Sequence, residues 1–238
     1  MTRKILVTGA SAGIGKAVCK SRLTAGDHVI GLARDFSKFA DNHRENFNTI
    51  EIDLANLDEL PTEFTELSHN LHPDTDALVC NAGEAIFGHL EQFSYKQIRH
   101  ALDLNFLSHV FLVRAFLPNF KKREQGDIIL IGSEAGLRGG RQGSLYCASK
   151  FALRGFAQAL REEIAATGIR LTMINPGMVK TEFHDNLTFR PGSDTTQHIV
   201  PEDVASAVSL ALDSRCGTVY DEINLTPQKR VVEFGKQN

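Results

Sequence analysis

Short, nearly unbroken apolar runs recur along this chain, and longer amphipathic stretches separate them. Lys4–Thr8, His28–Ala33, Thr49–Ile52, Ala77–Cys80, Asp127–Ile131, Arg170–Ile174 and Thr218–Ile223 read as strands. A run without polar alternation suits a strand buried on both faces, as in a parallel sheet covered by helices on each side. Between them, residues 14–25, 95–123, 144–167 and 201–212 carry helical patterns. In the second, Ile98, Leu102, Phe106, Val110 and Val113 recur at helical spacing. Pro118 is expected to bend or shorten that helix near its end. Pro201-Glu202-Asp203 is a helix-start signal. Strand and helix in repetition predict an α/β fold: a doubly wound parallel sheet of about seven strands with helices on both faces. With no repeat, low-complexity segment or linker pattern, residues 1–238 read as a single domain.

Charge and cysteine usage exclude several classes. The formal net charge is −3 and no long basic block occurs, which argues against a nucleic-acid partner. Cys19, Cys80, Cys147 and Cys216 form no C-x-x-C pair and stand beside no histidine at metal-ligand spacing. They read as four reduced thiols in a cytoplasmic protein, with no metal site. Met1 to Ala10 runs from a short strand into a glycine turn and lacks the features of a secretion signal. No apolar run approaches the ~18 residues of a membrane span, so no membrane partner is expected.

Chemistry concentrates at the ends of the predicted strands. Thr8-Gly9-Ala10-Ser11-Ala12-Gly13-Ile14-Gly15 leaves the first strand and opens the first helix. Glycines let the backbone turn sharply there and approach a pyrophosphate, while the helix N-terminus offers N–H groups to its charge. The end of the second strand distinguishes the dinucleotides, because NAD enzymes usually place an acid there for the ribose hydroxyl. Here Ala33 is followed by Arg34, and a guanidinium suits a 2′-phosphate. A one-residue change of register would make Asp35 the ribose acid and NAD the cofactor. Near the middle of the chain, Tyr146-Cys147-Ala148-Ser149-Lys150 is Y-x-x-x-K. On a helix these two side chains share a face, and an ammonium beside the phenol is expected to lower its pKa toward neutrality. Ser133 stands at the end of the fifth strand, and Asn105 lies within the long helix.

In motif and order, the chain resembles the short-chain dehydrogenase/reductase family over essentially its whole length. T-G-x-x-x-G-I-G corresponds to that family's phosphate loop and places Gly9, Ser11, Gly13, Ile14 and Gly15 against the cofactor. Asp53-Leu54 corresponds to the adenine contact, and Asn81-Ala82-Gly83 to the family's N-A-G motif. Pro176-Gly177-Met178-Val179-Lys180-Thr181 corresponds to the segment by the nicotinamide carboxamide. The resemblance implies a Rossmann-type fold and NADP(H) as cofactor. The family's second basic site for the 2′-phosphate is Ala12 here, so the NADP reading rests on Arg34. The resemblance also implies roles. Tyr146 would be the general acid or base, and Lys150 would tune it and hold the nicotinamide ribose. Ser133 would bind the substrate oxygen, and Asn105 would hold a water linking Lys150 to solvent.

The substrate is implied only by class, a small alcohol or carbonyl compound. Glu134, Leu137, Arg138 and Arg141 are expected along one side of the pocket and Met178, Phe183 and His184 along the other. Residues 181–190 and 201–204 loosely resemble the branch that oxidises serine and other 3-hydroxy acids, for which Arg138 or Arg141 could clamp a carboxylate. A 3-oxoacyl-carrier-protein reductase is an alternative: Arg123 matches one carrier-facing basic residue of that branch, whereas Thr167 occupies the second such position. A non-catalytic NADP-binding regulator is another, although such proteins typically lose the tyrosine or lysine. Phe111, Leu112, Phe116 and Phe120 on one long helix, and Phe151, Leu153, Phe156 and Leu160 on another, predict a homo-oligomer, dimer or tetramer.

Overall fold

The computed structural model describes residues 2–37, 39, 44–185 and 187–235. Seven strands form one sheet: β1 (Lys4–Thr8), β2 (His28–Ala33), β3 (Phe47–Glu51), β4 (Ala77–Cys80), β5 (Gly126–Ile131), β6 (Ile169–Pro176) and β8 (Glu222–Leu225). Their order is β3-β2-β1-β4-β5-β6-β8, and every neighbouring pair is parallel. β7 (Phe189–Pro191) and β9 (Val232–Phe234) make a separate antiparallel pair.

The alternation of side chains along each strand explains the two cores. Ile5, Val7, Ile129 and Ile131 face α1 (Gly13–Thr24) and α6 (Pro201–Leu212), burying Val18, Leu23, Val204 and Val208. Leu6, Ile30, Leu78, Ile128 and Leu130 point the other way. They pack with Phe64 of α2 (Leu60–Glu66), Phe116 and Phe120 of α4 (Ser108–Arg123), and Leu153 and Leu160 of α5 (Ser144–Ile164). Both faces of the central strands β1, β2, β4, β5 and β6 are therefore dry, as the unbroken apolar runs require, whereas the edge strands β3 and β8 are partly exposed. The strand order reverses between β1 and β4. In such sheets the crevice beyond the strand C-termini at that reversal receives the ligand.

Several elements differ from the sequence expectation. The long helical stretch does not end or shorten at Pro118, because Phe116 and Phe120 are both fully buried and hold the turns around it to the sheet. The interruption comes earlier: α3 (Tyr95–Leu102) passes through a π-helical turn, Asp103–Leu107, before α4 begins. By length and composition alone Tyr95–Arg123 could cross a membrane, contrary to expectation; its apolar residues include Leu112, Phe116 and Phe120 of the core. The last sheet strand starts at Glu222 rather than Thr218. The Asp221 carbonyl accepts from the Met173 N–H at 3.0 Å, and Glu222 is the first residue in register, opposite Met173. Val219, whose apolarity suggested a strand, is 44% exposed. Helix α2 and the β7/β9 pair were not anticipated, being too short to show a period.

Candidate active site

The glycine turn after β1 is built for close approach. Gly9 and Gly13 take left-handed φ values of 65° and 48°. A side chain on Gly9 would come within 2.9 Å of the Asn81 amide. That amide donates to the Thr8 carbonyl at 3.0 Å, while the Thr8 hydroxyl accepts from the N–H groups of Asn81 and Ala82 at 2.8 and 3.0 Å. The C-terminal ends of β1 and β4 are thus tied together at the strand-order reversal. Ala12 caps α1 without any side-chain hydrogen bond, so the first-turn N–H groups have no side-chain acceptor. Gly9, Ser11, Gly13 and Ile14 line the cleft, as do Arg34, Asp53, Leu54, Asn81, Ala82, Gly83, Pro176, Gly177, Val179 and Thr181. Gly15 does not line it: the residue lies behind the turn, where a Cβ would strike the Gly9 carbonyl. A cradle of glycine backbone, uncapped N–H groups and an exposed Arg34 at the β2 end fits a dinucleotide phosphate chain. Asp35 turns its carboxylate to Ser37, accepting from the backbone N–H at 2.7 Å and the hydroxyl at 2.8 Å.

The same cleft, about 1430 Å³, contains Ser133, Tyr146 and Lys150 at its other end. All three are buried. Ser133 ends the loop after β5 and caps a short 3₁₀ turn, accepting from the Ala135 N–H at 3.1 Å. Tyr146 and Lys150 share one face of α5, with the ammonium 5.9 Å from the ring centroid. Burial pushes the Tyr146 hydroxyl up to about 12, and a hydrogen bond with Ser133 is what pulls it down. The expected lowering by Lys150 is therefore corrected: burial raises the phenol, and Ser133, not Lys150, is the group that opposes the rise. The Lys150 ammonium instead donates to the Ile131 carbonyl at 3.0 Å, and burial lowers it to about 8.

Asn105 is fully buried in the π turn and does not line the cleft. Its amide oxygen accepts from the Glu84 N–H at 2.9 Å, and its nitrogen donates to the Glu84 carbonyl at 3.1 Å and more weakly to Ser149 at 3.4 Å. A Cβ on Gly83 would lie 3.0 Å from the Asn105 oxygen, a tight contact. On the substrate side Glu134, Arg138, Arg141, Met178, Phe183 and His184 line the cleft, but Leu137 does not. Arg138 is 66% exposed and lies 3.8 Å from Glu134, so its charge is partly matched within the chain. The four cysteines are free, Cys19, Cys80 and Cys147 buried and Cys216 exposed.

The short chain dehydrogenase family model matches residues 3–190, most of the chain. The chain belongs to the short-chain dehydrogenase family. An NADP-dependent 3-hydroxy acid dehydrogenase of Schizosaccharomyces pombe is 30% identical over 240 residues, covering 94% of this chain and 92% of that one. A 3-oxoacyl-(acyl-carrier-protein) reductase of Rickettsia felis is 32% identical, covering 86% of each. The solved closed form of a serine dehydrogenase complexed with NADP⁺ superposes with a TM-score of 0.81 at 27% identity, covering 93% of this chain and 94% of that one.

This short-chain dehydrogenase also brings to its cleft residues that the sequence did not single out. Lys16 and Lys20, one turn apart on α1, line it; their helical spacing was the available signal. Glu84 and His100 approach to 2.8 Å within it. Phe87, Phe189, Val232 and Phe234 also line it, and no periodicity marks them. Beneath the Asn81–Gly83 loop, His109 is fully buried with Nε2 2.8 Å from the Ala82 carbonyl. Burial lowers its pKa to about 3, so the ring is neutral and donates there.

Proposed function

We propose that this short-chain dehydrogenase is an NADP(H)-dependent oxidoreductase that interconverts a small alcohol and its carbonyl compound. One observation carries the reading: Ser133, Tyr146 and Lys150 are buried together at one end of a single cleft whose other end is the glycine cradle. Bound nicotinamide would supply or accept the hydride. Tyr146 then gives a proton to the carbonyl oxygen in reduction, or takes one from the alcohol in oxidation. Ser133, which lines the same end of the cleft, donates to the same substrate oxygen as charge develops on it. Lys150 is poised near neutrality by burial and holds the nicotinamide ribose. Asn105 acts by position, since its side chain fixes the Gly83–Glu84 stretch beside Lys150. Gly9, Ser11, Gly13 and Ile14 hold the pyrophosphate, and Gly15 lets α1 pack against that turn. Asp53 and Leu54 hold adenine; Asn81–Gly83, Pro176, Gly177, Val179 and Thr181 hold the nicotinamide end. Arg34 takes the 2′-phosphate, a choice supported by the engagement of Asp35 with Ser37. Steady-state assays with NADPH and a carbonyl panel, in both directions, test the reading. Tyr146→Phe should lower turnover by roughly 10²–10⁴-fold while NADPH still binds. Near-normal turnover in that variant would overturn it.

A 3-hydroxy acid is the substrate favoured by the Schizosaccharomyces pombe relative and the serine dehydrogenase likeness. Arg141 at the cleft edge is the better clamp for its carboxylate, because Arg138 already faces Glu134. Carrier-protein docking is less well supported. Arg123 donates to the Thr75 carbonyl and lies 3.9 Å from Asp76, so its charge is used within the fold.

A further inference from the structure

Five aromatic rings close a cycle around the substrate end of the cleft. Phe87, in the loop after β4, has its ring centroid 5.1 Å from that of Tyr146. Phe189 of β7 stands edge-on to Phe87 at 5.0 Å. His184 lies 6.3 Å from Phe189 and 5.6 Å from Phe183, and Phe183 returns to Tyr146 at 5.9 Å. All five line the cleft. Three separate chain segments contribute these rings besides α5, so the cycle is a tertiary construction and not a local pattern. It is also braced from outside. The Arg190 guanidinium reaches Glu233 at 3.1 Å across the β7/β9 pair, and the Glu233 carboxylate accepts from the Ser193 N–H at 3.0 Å. Burial lowers the His184 pKa, so this ring stays neutral and adds no charge to the wall.

Because the Tyr146 ring belongs to the cycle, a substrate oxygen bonded to its hydroxyl places one substituent of the reacting carbon against the other rings. Edge-to-face geometry rewards a flat π-bearing group over an alkyl group of equal volume. We propose that Phe87, Phe183, His184 and Phe189 form a seat for an aryl substituent, so that aryl alkyl ketones and their secondary alcohols are the substrate class this cleft selects. The inference rests on Tyr146 being the proton donor. Reduction adds a hydride from NADPH to the carbonyl carbon and the Tyr146 proton to its oxygen, leaving NADP⁺, the alcohol and a Tyr146 phenolate that regains its proton from solvent. The second substituent remains free to face the 136–143 loop and Arg141, so an aryl seat and a carboxylate clamp can serve one molecule.

The probes are acetophenone, cyclohexyl methyl ketone and butan-2-one, with wild type, Phe87→Leu, Phe189→Leu and Tyr146→Phe. Wild type should have its highest kcat/KM on acetophenone. Each leucine variant should cut the ratio of acetophenone to cyclohexyl methyl ketone by roughly 3- to 10-fold, the usual worth of one aromatic pair. Saturation-transfer NMR of acetophenone on the chain alone supplies a readout without turnover: the aryl protons should receive more saturation than the methyl, and lose that excess in both variants. Ratios unmoved by both substitutions, a wild type that prefers or equally accepts the cyclohexyl ketone, or no acetophenone turnover would each overturn the seat. Tyr146→Phe separates the two readings. If it abolishes reduction while the leucine variants leave the ratios unmoved, the seat alone fails. If it retains reduction, the assignment of Tyr146 fails and the seat, deprived of its anchor, fails with it.

Discussion

At the scale of single residues, charge placement decides cofactor and substrate. Arg34 is exposed at the β2 terminus on the cleft, and its neighbour Asp35 is occupied by Ser37. A hydrogen bond to a charged group contributes about 1.5–3 kcal/mol, so Arg34→Ala should weaken NADPH about 10- to 100-fold and NADH little. Equal losses, or tighter NADH binding by wild type, would refute the assignment; a loss smaller than tenfold would point to Lys16 and Lys20, which line the same cleft. The carboxylate clamp is tested in the same way. Arg141→Ala should lower kcat/KM for a 3-hydroxy acid by roughly 10- to 100-fold relative to its methyl ester. Arg138→Ala should do less, because Glu134 lies 3.8 Å from that guanidinium. If neither variant separates acid from ester, no clamp operates at this edge.

At the scale of elements, the long helix carries the most instructive departure. The π turn Asp103–Leu107 interrupts it where Asn105 must reach sideways to Glu84. Such turns occur often at functional sites. Asn105→Ala would remove both of these hydrogen bonds to the part-buried Glu84 backbone, each contributing about 0.5–1.5 kcal/mol. The expected result is a lowered thermal midpoint together with lost turnover, as the loop beside Lys150 loosens. An unchanged midpoint measured by calorimetry would contradict the positioning role. The sequence displayed Asn105 through its motif but not this geometry, because a π turn has no side-chain period of its own. Strands β1, β2, β4, β5 and β6 were legible within three residues at either end, since burial on both faces writes an unbroken apolar run. The glycine cradle and Y-x-x-x-K were legible because their spacing is local. Phe87 and Phe189 were not, since tertiary folding alone brings their loop and short strand to Tyr146. The direction of the Tyr146 shift was misread for a related reason: spacing places Lys150 nearby but reveals neither its bond to Ile131 nor the burial of the phenol.

At the scale of the whole molecule, the question is what covers the outer face of α4 and α5. Leu112, Phe116, Phe120, Leu153 and Leu160 are buried beneath the helices and need no second partner. Phe151 is 44% exposed, and Phe106, Phe111, Leu117 and Phe156 are half-buried. A depression of about 690 Å³ adjoins this face, lined by Val110, Val113, Arg114, Ala115, Leu117, Pro118 and Lys121 of α4, Phe156, Leu160 and Glu163 of α5, and Thr65, Ser68 and His69. A two-fold axis brings a surface against its own copy, so residue i meets j and j meets i. With basic residues on one helix and an acid on the other, antiparallel pairing can oppose unlike charges around an apolar centre. We therefore expect a homodimer through these helices, or a tetramer built from it. Light scattering at micromolar concentration should give a multiple of 26.2 kDa. Phe156→Glu, placing a carboxylate in that centre, should weaken association by at least roughly 30-fold, as loss of an interface residue worth about 2 kcal/mol would. The cleft lies beyond the strand C-termini, so each dissociated chain should still bind NADPH. A wild-type mass near 26.2 kDa would reject the dimer, and an oligomer unaffected by Phe156→Glu would move the interface elsewhere.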